Sequence, residues 1–72
     1  MTPWPSIKTL QSQLAQLNYY DGAITGHMNS GTVHAVEYLQ RAAGLPQTGS
    51  MDAATQTALT YQLTHGDNQM GS

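Results

Sequence analysis

Side chains able to do acid–base, nucleophilic or metal chemistry are few in this 72-residue chain, and their spacing keeps them apart. The histidines are His27, His34 and His65. None forms the i, i+4 pair that sets two imidazoles on one helix face. His27 and His34 fall on either side of an expected helix start, so shared metal ligation is poorly motivated and independent, exposed histidines are expected. Of the carboxylates, Asp52 reads as a helix cap, Glu37 as a solvent-facing helix residue and Asp67 as part of the tail. Only Asp21 sits in a loop able to form a site, and one carboxylate cannot be both general acid and general base. No Gly-x-Ser-x-Gly elbow accompanies the many Ser and Thr residues. The Gly26–Gly31 spacing follows no strand and is closed by no Lys-Ser/Thr, unlike a phosphate loop. The expectation is a non-catalytic domain with no metal site and no cofactor.

Binding chemistry is better supplied. Tyr19 and Tyr20 offer flat, amphipathic surfaces beside Asp21-Gly22, in a turn rich in exposed backbone amides. Sugars and peptides are held by such sets, through ring stacking and hydrogen bonds to amides, hydroxyls and carboxylates. Adjacent residues point in different directions, so one of the two rings is expected in the core and the other at the surface. Only Lys8 and Arg41 are fixed cations, against four carboxylates, for a net charge of −2. Two cations cannot neutralise a run of phosphates or an anionic membrane surface, so neither nucleic acid nor membrane is an expected partner. The Gln-, Thr-, Ser-, Asn- and Tyr-rich surface suits a neutral, hydroxyl- and amide-rich ligand, and equally an ordinary uncharged surface.

Three helices must position these residues. Pro3 and Pro5 keep residues 1–5 extended, an irregular lead-in. Ser6 caps a first helix over about 6–17, with Ile7, Leu10, Leu14 and Leu17 on one face and Asn18 at its left-handed end. Residues 19–26 form a loop in which Ile24, the one strongly apolar residue, is expected to point inward. A second helix begins at an Asn29 or Ser30 cap, buries Val33, Val36, Leu39 and Ala43, and stops at Gly44 before Leu45-Pro46. After a turn at Gly49, Asp52 caps a third helix through Leu59 to about Leu63. Met28 and Met51 fill core gaps, and Tyr38 and Tyr61 cover surface seams. The chain has no cysteine, so a disulfide framework and a thiolate metal site are both excluded. The expected architecture is all-α, a compact three-helix bundle with two Gly-containing turns, at 6–63, and a flexible tail or linker at 64–72.

Two stretches 23 residues apart repeat one unit. Thr25-Gly26-His27-Met28-Asn29-Ser30-Gly31-Thr32 leads to Ala35, Val36 and Tyr38; Thr48-Gly49-Ser50-Met51-Asp52-Ala53-Ala54-Thr55 leads to Ala58, Leu59 and Tyr61. The shared residues are turns, caps and core anchors, so the duplication specifies scaffold. The difference between the copies points to the site: the first follows Tyr19-Tyr20-Asp21-Gly22 and contains His27, whereas the second follows Leu45-Pro46 and contains Ser50.

The ordered set Leu10-Gln11, Leu14, Leu17-Asn18-Tyr19-Tyr20-Asp21-Gly22, Ile24-Thr25-Gly26, Thr32, Ala35-Val36, Leu39-Gln40, Gly44-Leu45, Thr48-Gly49, Asp52, Thr55 and Leu59 resembles the type 1 peptidoglycan-binding-like domain over about 7–60. The resemblance implies a compact three-helix module that attaches to bacterial cell wall. Its ligand would be peptidoglycan, contacted through stem peptide, glycan or both near the helix-turn loops. It would be a monomeric part of a secreted bacterial or phage protein, at the cell wall or outside the cell, that targets an attached or partner wall hydrolase. No signal peptide is read in this chain. Carried onto this sequence, the ligand-binding residues are Tyr19, Tyr20, Asp21, Gly22, Thr25, His27 and Asn29. Asn18 and Asn29 stand where the family commonly has Gly, and both tolerate left-handed backbone. Thr25 replaces an often acidic residue, removing a charge from the expected site. The alternative is a protein-interaction or regulatory module that uses an exposed patch of Trp4, Tyr38 and Tyr61.

Overall fold

In the computed structural model, which describes residues 6–65, three helices follow in order: α1 (Ile7–Gln16), α2 (Ser30–Ala42) and α3 (Ala53–His65). Each packs on the other two, and no strand occurs among the described residues. Local chemistry sets each helix start. Ser6, Asn29 and Asp52 accept hydrogen bonds from the backbone N–H three residues on, at Thr9 (3.2 Å), Thr32 (2.8 Å) and Thr55 (2.9 Å). Each satisfies a donor that the first helical turn leaves unpaired.

Two helices end by the same device. Asn18, with φ of 65°, donates to Ala15 (2.9 Å), and Tyr19 N–H reaches Leu14 (2.9 Å). Gly44, with φ of 75°, donates to Arg41 (3.1 Å), and Leu45 N–H reaches Gln40 (2.8 Å). This is the paired closure that a left-handed residue just past a helix permits.

The apolar core is Leu10, Leu14, Tyr20, Ala35, Val36, Leu39 and Leu59, with Leu17, Tyr19, Met51, Ala58 and Leu63 packed against it. Four polar residues are as fully buried: Gln11, Thr32, Gln40 and Thr55. The apolar helix faces expected from the sequence do not include them. The buried stripe of α2 is Thr32, Ala35, Val36, Leu39 and Gln40; Val33 is half-buried, and Ala43 is the exposed C-cap. Ile24 is 42% exposed rather than inward, because Tyr20 fills the space beneath its loop. Met28 is exposed as well, whereas Met51 packs on the core.

Helix α3 runs two residues beyond the expected end, through Thr64 and His65, while the expected lead-in at 1–5 and the rest of the expected tail lie outside the described residues. The Thr64 hydroxyl donates back to the carbonyls of Thr60 and Tyr61, both at 3.0 Å, and the His65 ring lies 4.4 Å from that of Tyr61. No helix among the described residues is long and apolar enough to cross a membrane.

Candidate functional site

The repeated unit closes around a buried glutamine in each copy. Gln11 Nε2 donates to the His27 carbonyl and the Thr32 hydroxyl, both at 2.9 Å, while its Oε1 accepts from the N–H groups of Thr25 (2.8 Å) and Gly26 (3.0 Å). Gln40 Nε2 donates to the Ser50 carbonyl (3.0 Å) and the Thr55 hydroxyl (2.9 Å), and its Oε1 accepts from Gly49 N–H (3.0 Å). Each amide thus cross-links the preceding helix, the Thr-Gly turn and the first turn of the following helix. Buried polar groups of this kind must be paired, and these are.

Several expected ligand contacts are committed to this scaffold. Tyr20 is buried; its hydroxyl donates to the Ala23 carbonyl and accepts from Asn29 Nδ2 (3.3 Å). A Cβ at Gly22 would fall 2.8 Å from Tyr20 Oη, so the glycine lets the chain close over the ring. The Thr25 hydroxyl accepts from His27 N–H (3.1 Å), and the Asn29 side chain caps α2. Asp21 and His27 are exposed. Tyr20 is therefore the core ring of the pair, and Tyr19 the surface one.

Tyr19 turns away from Asp21 and His27 to the outer face of α2. Its hydroxyl donates to Gln62 Oε1 (2.9 Å), and its ring meets Tyr38 edge-on, with centroids 5.1 Å apart and planes at 71°. Burial pushes its phenol above the usual range, opposed by the Gln62 hydrogen bond and reinforced by the neighbouring Tyr38. Around these rings lies an open cleft of about 350 Å³, lined by Tyr19, His34, Glu37, Tyr38, Arg41 and Gln47. Residues 34, 37, 38 and 41 form one stripe at helical spacing on α2. Tyr19 enters from the turn after α1, and Gln47 from the turn before α3.

Glu37 is half-buried rather than freely solvent-facing. A Cβ at Gly49 would sit 3.3 Å from its Oε2, so the side chain lies across that turn. No ion pair joins Glu37 to Arg41 or to any other described residue. His34, Glu37, Arg41 and Gln47 are not among the ligand contacts expected from the sequence, because each alone resembles an ordinary helix-surface or turn residue. The usable signal was the spacing of 34, 37, 38 and 41 combined with an exposed Tyr at 38.

A second concavity, of about 460 Å³, opens where the two repeat turns face each other. Ile7, Leu10, Met28, Gly49, Ser50, Met51 and Gln56 line it, with no charged residue among them. The equivalent methionines of the two copies both line it. Of the exposed aromatics, Tyr38 pairs with Tyr19 and Tyr61 with His65, while Trp4 lies outside the described residues.

Residues 5–59 match the family described as "Putative peptidoglycan binding domain", and the chain belongs to that family. The match spans the repeated unit, both buried glutamines and the aromatic cleft. No curated protein and no solved structure matches the chain.

Proposed function

We propose that the chain is a non-catalytic module that binds bacterial peptidoglycan and holds an attached or partner wall-modifying enzyme at its polymer. The observation that carries this is the family match over 5–59, which includes every helix-capping and turn residue of the scaffold. The physical benefit of such a module is effective concentration: tethering converts the enzyme's encounter with the wall into a local event. Its setting is the cell wall or the space outside the cell.

The ligand contacts come from the accessible members of the expected set: Asp21 and His27 on the loop that Tyr20, Gly22, Thr25 and Asn29 hold in shape, and Tyr19 on the face of α2. A shallow site on so small a domain binds weakly as a single copy. The test is co-sedimentation of the chain with insoluble peptidoglycan, with chitin and cellulose as controls. Retention by the wall polymer alone is the expected result. No retention on any wall preparation overturns the reading and favours a protein-interaction role.

A further inference from the structure

The stripe His34, Glu37, Tyr38 and Arg41, with Tyr19 and Gln47 at its margins, is a site of different chemistry from the loop at 19–29. The rings of Tyr19 and Tyr38 meet edge to face there, and a carboxylate and a guanidinium lie one helical turn apart beside them. On a helix, i and i+4 residues of opposite charge are close enough to pair. Here they do not, and Glu37 instead lies over the Gly49 turn. Among the described residues the cleft therefore presents an anion and a cation that no ion pair neutralises, beside two ring surfaces and the amide of Gln47.

We propose that this cleft is the subsite for the peptide stem of the wall polymer, and that the glycan lies outside it. The inference rests on the wall-binding reading above. The glycan of the wall is built from N-acetylated sugars, which carry no ammonium group, and its lactyl carboxyls are consumed in amide bonds to the peptide. Placing an uncharged sugar over Glu37 and Arg41 would strip water from two charges and return no ionic contact, a net cost. The stem peptide supplies the complements. Arg41 takes a carboxylate in the forked geometry that guanidinium favours, and Glu37 accepts from an ammonium. Small alanyl methyl groups lie against the exposed ring surface of Tyr38. Mixed charge also separates this cleft from an anion site, because Glu37 repels a purely anionic ligand.

The experiment is a titration of the chain, followed through its backbone amide resonances, with two soluble probes. One is a synthetic stem peptide with a free side-chain ammonium and a free terminal D-alanyl carboxylate. The other is the peptide-free N-acetylated disaccharide with its lactyl carboxyl capped as an amide, so that it carries no charge. The expected result is that the peptide shifts residues 34–41 and 47, and that an amide-capped peptide or the variants Glu37→Gln and Arg41→Gln bind roughly tenfold more weakly. Glu37→Gln keeps the shape over the Gly49 turn, so a loss there reports charge and not unfolding. Three results each overturn the proposal: shifts at 34–41 with the disaccharide alone; peptide shifts confined to the apolar groove at 28, 49–51 and 56; or variants that bind like the parent chain. Sedimentation with intact wall, run in parallel, separates failure of this subsite from failure of wall binding. If wall retention persists while the peptide leaves the cleft silent, only the subsite is wrong.

Discussion

Gln11 and Gln40 do the same work in the two halves of the molecule: each is fully buried, and each amide binds a turn glycine N–H, a turn carbonyl and a threonine hydroxyl in the next helix. The repeat therefore begins earlier than its Thr-Gly turn. Gln11 stands 14 residues before Thr25, and Gln40 stands eight before Thr48. The six additional residues in the first copy extend α1 past its glutamine and supply the loop that Tyr20 supports. The asymmetry between the copies is an insertion into a shared amide-anchored unit.

Replacing either glutamine with leucine keeps most of the volume and removes every one of these bonds. Each variant is expected to lose roughly 2–4 kcal/mol, because turn N–H and carbonyl groups are left unpaired. Gln40→Leu should cost more than Gln11→Leu, since Gly49 is buried while Thr25 is exposed and water can replace part of the lost bonding there. Urea unfolding of both variants checks the order, and equal or reversed losses would contradict it.

The fold was largely legible in the sequence because its signals are local. Caps at Ser6, Asn29 and Asp52, left-handed stops at Asn18 and Gly44, and leucines at helical spacing each act within a few residues. The buried glutamines were hidden because a polar residue counts as exposed until its partners are known, and those partners lie eight to 21 residues away. Ile24 misled for the complementary reason: its hydrophobicity is visible, but the presence of Tyr20 beneath its loop is not. The site was legible only in part. The sequence marks Tyr19-Tyr20-Asp21-Gly22 as special, yet the Schellman turn at Asn18 sends the two rings to opposite environments.

Gly44 and Gly49 share a left-handed backbone, with φ of 75° and 77°, but differ in surroundings. A Cβ at position 44 meets nothing within 4 Å, whereas one at 49 falls 2.9 Å from Val33 Cγ1. Gly44→Ala should cost about 1 kcal/mol, the backbone strain alone. Gly49→Ala should cost about 1–3 kcal/mol more, because the half-buried Val33 must move. Thermal melts of the pair measure the difference, and indistinguishable midpoints would rule out the steric part.

The Asp52 carboxyl is held below its ordinary value of 3.8 by hydrogen bonding from Thr55, side chain first and then backbone N–H. A folded value below the unfolded one means the ionised cap stabilises fully above about pH 4. That contribution is lost as pH falls through the folded value. Asp52→Asn retains an acceptor, as Asn29 does in the first copy, so the variant should match the parent near pH 7 and show a flatter acid limb below pH 4. Unfolding curves at pH 7 and pH 3 test this; a difference independent of pH would show that the charge is not what matters.

Tyr20 and Tyr38 should separate scaffold from ligand contact. The Tyr20 hydroxyl ties Ala23 to Asn29 from within the core, so Tyr20→Phe is expected to cost about 1–2 kcal/mol while leaving wall retention unchanged below its melting transition. Tyr38 is 53% exposed and its hydroxyl bonds to no described residue, so Tyr38→Ala should melt within a few degrees of the parent chain. It should nevertheless lose most retention on insoluble wall, since its ring lines the α2 cleft. The informative readout is the ratio of bound to folded protein at one temperature. Retention that follows stability in both variants would mean that neither ring touches the polymer. Loss confined to Tyr20→Phe would leave the loop at 19–29, and not the α2 cleft, as the contact with the polymer.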